Sequence, residues 1–422
     1  MGWAFSPLDE ELALLPGAFA PSLVADAVRL GTWVPFNRIP ALLHGFVGTL
    51  LSEPTVRRLT EAAGAAYVDV QTAVVERLEQ SQEAPPAGPA VLQVRVDGAM
   101  VPLRGKGEWA EVKTLAAGRV DATPTGPAAV DLSYFSRRAD HVTFTRLATV
   151  ETHRRGMETA GTVCGVVDGA DWCQQFFDTQ RPDAVRILDF SHAAGYLAQI
   201  AHAAFGPGTA TATTWLETQR HALKHGAPVT VLDTIRTLQA AVATRPDGAV
   251  ATEAIANRLA YFEKRQAHLA YATFQQQGYP IGSGIVESAN KLVVEARLKG
   301  AGMHWAPAHV DPMVALRTIV CADRWDEARP QICVQLRHDH RTRSSQRHAQ
   351  RVARSCTSPS ATSTGVAQVA LPPLPTPAAA PPAPPRPARA PLSYGPGRPA
   401  PTHPWKRAFI VPSAAVRAAA RL

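Results

Sequence analysis

Cysteine is scarce and scattered: Cys164, Cys173, Cys321, Cys333 and Cys356 form no C-x-x-C pair and join no histidine at zinc spacing. A disulfide framework and a zinc finger within these residues are therefore not expected, and reduced thiols are. No apolar run reaches the ~18 residues a membrane helix requires. The first twenty residues carry acids where a secretory leader needs bases, so the expectation is an intracellular protein with no membrane partner. Three catalytic signatures are also missing: the G-x-S-x-G elbow, the GxxxxGK[ST] phosphate loop and the HExxH zinc helix. Their absence argues against serine hydrolase, P-loop ATPase and zinc protease chemistry.

What the chain does have is an excess of positive charge, unevenly placed. The net charge of +8 arises from residue 331 onward, which holds 13 Lys and Arg against one acid, whereas the first 330 residues hold 30 bases and 34 acids. Composition alone thus locates a polyanion-binding excess in the C-terminal part and leaves a basic stripe on the folded body undecided.

Along the 422 residues the pattern changes several times. Residues 1–80 have helical periodicity and read as a helical DNA-binding domain. Ile39 to about Gly64 fits a helix-turn-helix with Thr55, Arg57 and Arg58 turned to DNA, and equally fits an ordinary hairpin with a solvated basic edge. Residues 81–90 (SQEAPPAGPA) read as a linker. VLQVRVDGAMVPL, WAEVKTLAAGRV and HVTFTRLATV predict three consecutive strands. VETHRRGMETAG predicts a helix, TVCGVVDGA a strand, DWCQQFFDTQ a helix and AVRILDF a fifth strand, so an α/β fold with a mixed five-stranded sheet is expected. Its first part covers residues 91–208 and its last part 278–334, separated by a helical insertion over 209–277. A helix is predicted from about Ile285 to Leu298. Residues 335–422, with 16 prolines after residue 358, read as a disordered basic tail in which HPWKRAFIV is one docking candidate.

Three acids stand where a purely structural role is hard to assign. Asp97 and Asp168 each follow an apolar strand and precede a glycine, the place where open α/β sheets put their chemistry; a lone Asp-Gly more often makes a turn. Glu287 follows the GSG segment in the first turn of a helix, where the dipole favours an acid anyway. Asn290 and Lys291, three and four residues on, share its helical face, which suits a carboxylate that binds a metal while these neighbours touch phosphate. Gathered carboxylates suit Mg²⁺, or Mn²⁺, as hard oxygen ligands. Two such ions about 4 Å apart activate one oxygen and stabilise another in phosphodiester chemistry.

Read in order, VDGAMVPLRGKGEWAEVKTLAAGRV, VVDGADWCQQFFDTQRPDAVRILDFSHAAGYL and GYPIGSGIVESANKLVVEARLKGAGMHW resemble the catalytic blocks of ISKra-type bacterial insertion-sequence transposases, within the Mutator-like DDE group. The resemblance runs from about residue 5 to 330, with an echo at HPWKR. It implies an RNase H-like catalytic fold and a metal-binding triad of Asp97, Asp168 and Glu287. It also implies DNA cleavage at terminal inverted repeats followed by strand transfer into target DNA, by a homo-oligomer on DNA in a bacterial cytoplasm, close to the nucleoid. Asp189 is the rival for the second acid, and the family pattern places Asp189 and His192 behind the metal ligands; a helix-start residue that packs locally explains His192 as well. Arg297, Lys299 and His304 are expected to touch the DNA backbone, with Trp305 stacking on an unpaired base, and Arg104 and Lys106 to reach a phosphate from the turn after the first strand. A solvated charged surface explains each of these singly. Relatives often carry a cysteine-bearing segment ahead of the point where this chain begins, so a truncated, DNA-binding remnant is one alternative, and another RNase H-like nuclease is a second.

Overall fold

The structure, a computed structural model, describes residues 19–356 except Gln82, Thr125 and Ser283. Helices α1 (Pro21–Trp33), α2 (Ile39–Val47) and α3 (Glu53–Ser81) open the chain. Strands β1 (Val91–Pro102), β2 (Trp109–Thr123) and β3 (Gly126–Arg137) follow. Helices and strands then alternate through α4 (His141–Arg154), β4 (Thr162–Val167), α5 (Asp171–Gln180) and β5 (Val185–Leu188). A helical stretch comprises α6 (Phe190–Phe205), α7 (Ala210–His225), α8 (Pro228–Ala243), α9 (Ala249–Lys264) and α10 (Tyr271–Gln276). Last come α11 (Gly284–Ala289), a π-helical turn (Asn290–Glu295), α12 (Ala296–Leu298), α13 (Pro307–Cys321) and α14 (Trp325–Cys356).

The five strands form one mixed sheet in the order β3-β2-β1-β4-β5. β2 runs antiparallel to both β3 and β1, whereas β4 runs parallel to β1 and β5 parallel to β4. The pleat sorts β1 cleanly. Leu92, Val94 and Val96 enter a core with Phe144 of α4 and Phe176 and Phe177 of α5. The opposite face presents Gln93, Arg95 and Asp97, then Ala99, Val101 and Leu103. Those last three pack with Ile39, Val56, Val286 and Val293, from α2, α3, α11 and the π turn. Cys164, Val166, Ile187 and Leu188 meet α6 to α10 in a separate cluster. Helices therefore cover both faces of the sheet.

Four sequence expectations need correction. The third strand is Gly126–Arg137, and HVTFTRLATV is the body of α4. Asp140 caps that helix, its carboxylate accepting from the N–H groups of Val142 and Thr143, while Phe144 and Ala148 fall on one buried face; cap and face override the β-branched composition. β1 continues five residues beyond Asp97, so that acid lies within the strand and not at its end. The helix α14 continues through residue 335 to Cys356, in place of the disordered tail expected from that point; the rest of the tail, HPWKRAFIV included, lies outside the described residues.

The expected boundary near residue 80 is no break in packing, because Ile39, Leu43 and Val56 share a core with the sheet residues Val101 and Val112. Gly64 of α3 sits so close to α13 that a Cβ there would be 2.3 Å from the Pro312 carbonyl oxygen. The expected linker is also fastened: the Gly88 N–H donates to Thr159 Oγ1 at 2.8 Å, and the Gly161 N–H to the Pro89 carbonyl. Among the described residues no helix is long and apolar enough to cross a membrane.

Candidate acidic site and basic cleft

The site begins with the register of two parallel strands. β1 pairs with β4 from Val91 opposite Thr162 to Val94 opposite Gly165. Carried three residues on, that register sets Asp97 level with Asp168, the residue that follows β4. Cys173 of α5 ties them, its thiol directed to the Val96 carbonyl (3.6 Å) and to Asp168 Oδ1 (3.7 Å). The two acids interact: burial raises the Asp97 carboxyl above the ordinary carboxylate range, and the Asp168 charge adds to the rise. Hydrogen bonds hold both in place. Asp97 Oδ1 accepts from the Gly98 N–H (2.7 Å) and Oδ2 from Asn290 Nδ2 (3.0 Å), while Asp168 Oδ1 accepts from the Ala170 N–H (2.9 Å).

The loop after Asp168 is gripped by the helical insertion. Gly169 has φ +88°, a left-handed conformation that glycine adopts without strain. Tyr261 of α9 donates its hydroxyl to the Asp168 carbonyl (2.6 Å), and Arg265 Nη2 donates to the Gly169 carbonyl (2.6 Å). The Arg265 guanidinium lies 3.9 Å from the centre of the Tyr261 ring, so the two clamping groups brace each other.

Beneath the acids lies Arg95. Its Nη1 donates to Asp189 Oδ2 at 2.8 Å, with both side chains almost wholly buried. Burial depresses the Arg95 guanidinium and raises the Asp189 carboxyl, each opposing the other's shift. The charges of Asp97, Glu287 and Asp168 also act on Arg95, each favouring its cationic form. Asp189 in addition caps α6, accepting from the Ser191 and His192 N–H groups. The rival acid is thus engaged in the fold, while His192 is exposed and meets Tyr196 edge-on at 5.1 Å.

Glu287 is exposed in the first turn of α11, one turn before Asn290. The structure brings Asp97 and Asp168 together and leaves Glu287 adjacent. Among the described residues no group of three or more His, Cys, Asp or Glu side chains stands close enough to hold a metal ion. The pair alone still has the donor chemistry for a hard divalent cation: two oxygen-bearing, half-buried groups whose mutual repulsion a cation would relieve.

The residues expected to meet DNA separate into two sets. Arg57, Arg104, Arg297 and Trp305 come together around one cleft of about 550 Å³, which Arg38 and His304 also line. Arg58, Lys106, Lys291 and Lys299 are exposed outside it, Lys299 paired with Glu295 at 2.7 Å. Two members of the first set are buried, contrary to their expected surface roles. Trp305 is core: its Nε1 donates to the Leu298 carbonyl and its ring meets Phe36 edge-on, so no face is offered to a base. Arg297 lies between the Phe36 and Trp305 rings at 4.7 and 5.1 Å, with Nε donating to the Gly31 carbonyl.

Sequence reasoning missed Arg95, Tyr261 and Arg265. Only Arg95 left a trace, in the strict alternation Leu92-Gln93-Val94-Arg95-Val96-Asp97, which puts a cation on the same strand face as the acid. No protein-family model matches the chain, and no curated protein sequence matches it.

Proposed function

We propose that this chain is a DDE-type DNA transposase that cleaves phosphodiester bonds at transposon ends and transfers the strand to target DNA. The observation that carries the reading is the pairing of Asp97 and Asp168 on neighbouring parallel strands, with α11 and its π turn delivering Asn290 to Asp97. Three antiparallel strands followed by two parallel ones, in the order β3-β2-β1-β4-β5, support the RNase H-like reading of the sheet. The helical stretch between β5 and α11 fits the insertion that the resemblance implies.

Asp97 and Asp168 would hold a Mg²⁺ or Mn²⁺ ion, which when bound neutralises phosphate charge and acidifies water. The chain's own groups orient that pair. Gly98 and Asn290 fix both oxygens of Asp97, and Ala170 and Cys173 fix one oxygen of Asp168. Tyr261 and Arg265 hold the loop on which Asp168 stands. Glu287 would contribute the third carboxylate from the neighbouring helix face. One rival reading, a DNA-binding remnant without cleavage activity, is favoured by the lack of a compact three-acid cluster among the described residues.

The test is cleavage of a labelled duplex carrying the element's ends, with and without Mg²⁺. Asp97→Asn, Asp168→Asn and Glu287→Gln are each expected to lower cleavage about a thousandfold, some 4 kcal/mol of transition-state stabilisation, while DNA binding stays within a few-fold. Binding without cleavage by the unmodified chain would leave the remnant reading standing in its place.

A further inference from the structure

The basic cleft has an unused donor at its base. Arg297 is 2% exposed, yet its Nη2 is buried with no hydrogen-bond partner among the described residues. A buried cationic N–H without an acceptor is costly, and an anion or a water entering the cleft would satisfy it. The remaining walls match: Arg38, Arg57 and Arg104 face Glu53 and Glu61. Glu53 is taken up by Arg57 at 2.5 Å, and Glu61 is 3.5 Å from His309. Arg38 and Arg104 are exposed and have no ion-pair partner among the described residues. Burial and the nearby Arg317 charge lower the Arg297 guanidinium to about 10, still cationic at neutral pH.

We propose that this cleft binds a backbone phosphate of the DNA, with Arg297 at its base and Arg38 and Arg104 at its mouth. The inference rests on the DNA-processing reading above and adds a second anchoring point to it. Its position follows from β1, which carries Asp97 and leads directly into Leu103 and Arg104; Leu103 bridges to Trp305, and the Arg104 N–H donates to the Trp305 carbonyl. Five strand residues after Asp97 and the two that follow reach at most about 23 Å. At ~3.4 Å per nucleotide, a strand running along β1 would place the anchored phosphate within about seven nucleotides of the one above Asp97. The volume admits a phosphate and part of its sugar, and the paired guanidinium donors suit phosphate oxygens better than a point charge would.

Fluorescence anisotropy of a labelled duplex, titrated with the full chain at several salt concentrations, tests this. Arg38→Ala and Arg104→Ala change exposed side chains and are expected to weaken binding about 3–10-fold at low salt, each lowering the slope of log K against log salt by about 1. Arg297→Met should weaken binding at least tenfold, provided thermal unfolding shows that it folds. Inorganic phosphate should compete with DNA for the unmodified chain and compete less in Arg297→Met. Unchanged affinity and slope in both Arg38→Ala and Arg104→Ala would overturn the proposal. So would phosphate binding with DNA affinity indifferent to all three substitutions, since the cleft would then serve a small free anion. The two readings separate cleanly: Mg²⁺-dependent cleavage with unchanged slopes removes the cleft alone, and altered slopes without any cleavage remove the enzyme alone.

Discussion

At the scale of single residues, two carboxylates with similar settings have opposite consequences for stability. Asp97 has its proton affinity raised by burial and by Asp168. The folded state therefore holds that proton more tightly than the unfolded chain does. The associated stability is present below the ordinary carboxylate range and is lost as pH rises through the raised value. Asp97→Asn removes the charge, and a turned Asn290 amide can accept from the new Nδ2, giving the presently unpartnered Asn290 Oδ1 a bond. In metal-free buffer at pH 7 its melting temperature is expected to rise about 1–3 °C, the gain vanishing as pH falls below about 4. Asp189→Asn should do the reverse, costing about 3 kcal/mol in denaturant unfolding, because Arg95 would be left buried and uncompensated. Equal and small effects of the two substitutions would contradict this division between an acid strained by burial and one that neutralises a buried cation. The Asp-Gly pairs at Asp97 and Asp168 are legible in the sequence because they are local. Arg95 is less so, since a cation inside an apolar strand has meaning only once Asp189, 94 residues further on, is seen to meet it.

At the scale of elements, most helices and four strands are marked by their period. β3 is not. It is an edge strand whose first half is only partly buried, with Gly126 and Pro127 at its start, Asp131 at φ +54° and a register shift against Ala117 and Arg119. Those residues read as loop punctuation because a bulged edge tolerates them. The neighbouring α4 reads as a strand because six of its fourteen residues are Val or Thr, and only the packing of Phe144 against Phe135, Trp172 and Phe176 decides between the two periods. The crossing of α3 and α13 depends on a residue that no periodicity marks. Gly64→Ala would drive a methyl into the Pro312 backbone, which cannot yield as a side chain can. A loss of about 2 kcal/mol, seen as a lower denaturant midpoint at unchanged m-value, is expected; a neutral result would mean that the helices slide apart freely.

At the scale of the whole molecule, charge and chemistry are separated along the chain. Residues 357–422 contain seven Lys and Arg and no acid. Their deletion is expected to lower nonspecific DNA affinity and flatten its salt dependence; an unaltered salt slope would show that they do not touch DNA. Within the described residues the acid pair and the basic cleft are joined through the α11 to α12 run, and its π turn sets their relation. An uninterrupted α-helix advances about 100° per residue, so residues seven apart face nearly the same way. Here Asn290 reaches Asp97, and Arg297 reaches the Gly31 carbonyl on another side of the run. The widened turn accommodates an additional residue and supplies the offset. A regular α-helix over the same residues would instead turn Arg297 by roughly a quarter turn away from the Gly31 carbonyl. On the proposed reading, the extra residue in that turn works as the spacer of a ruler between the acid pair and the basic cleft.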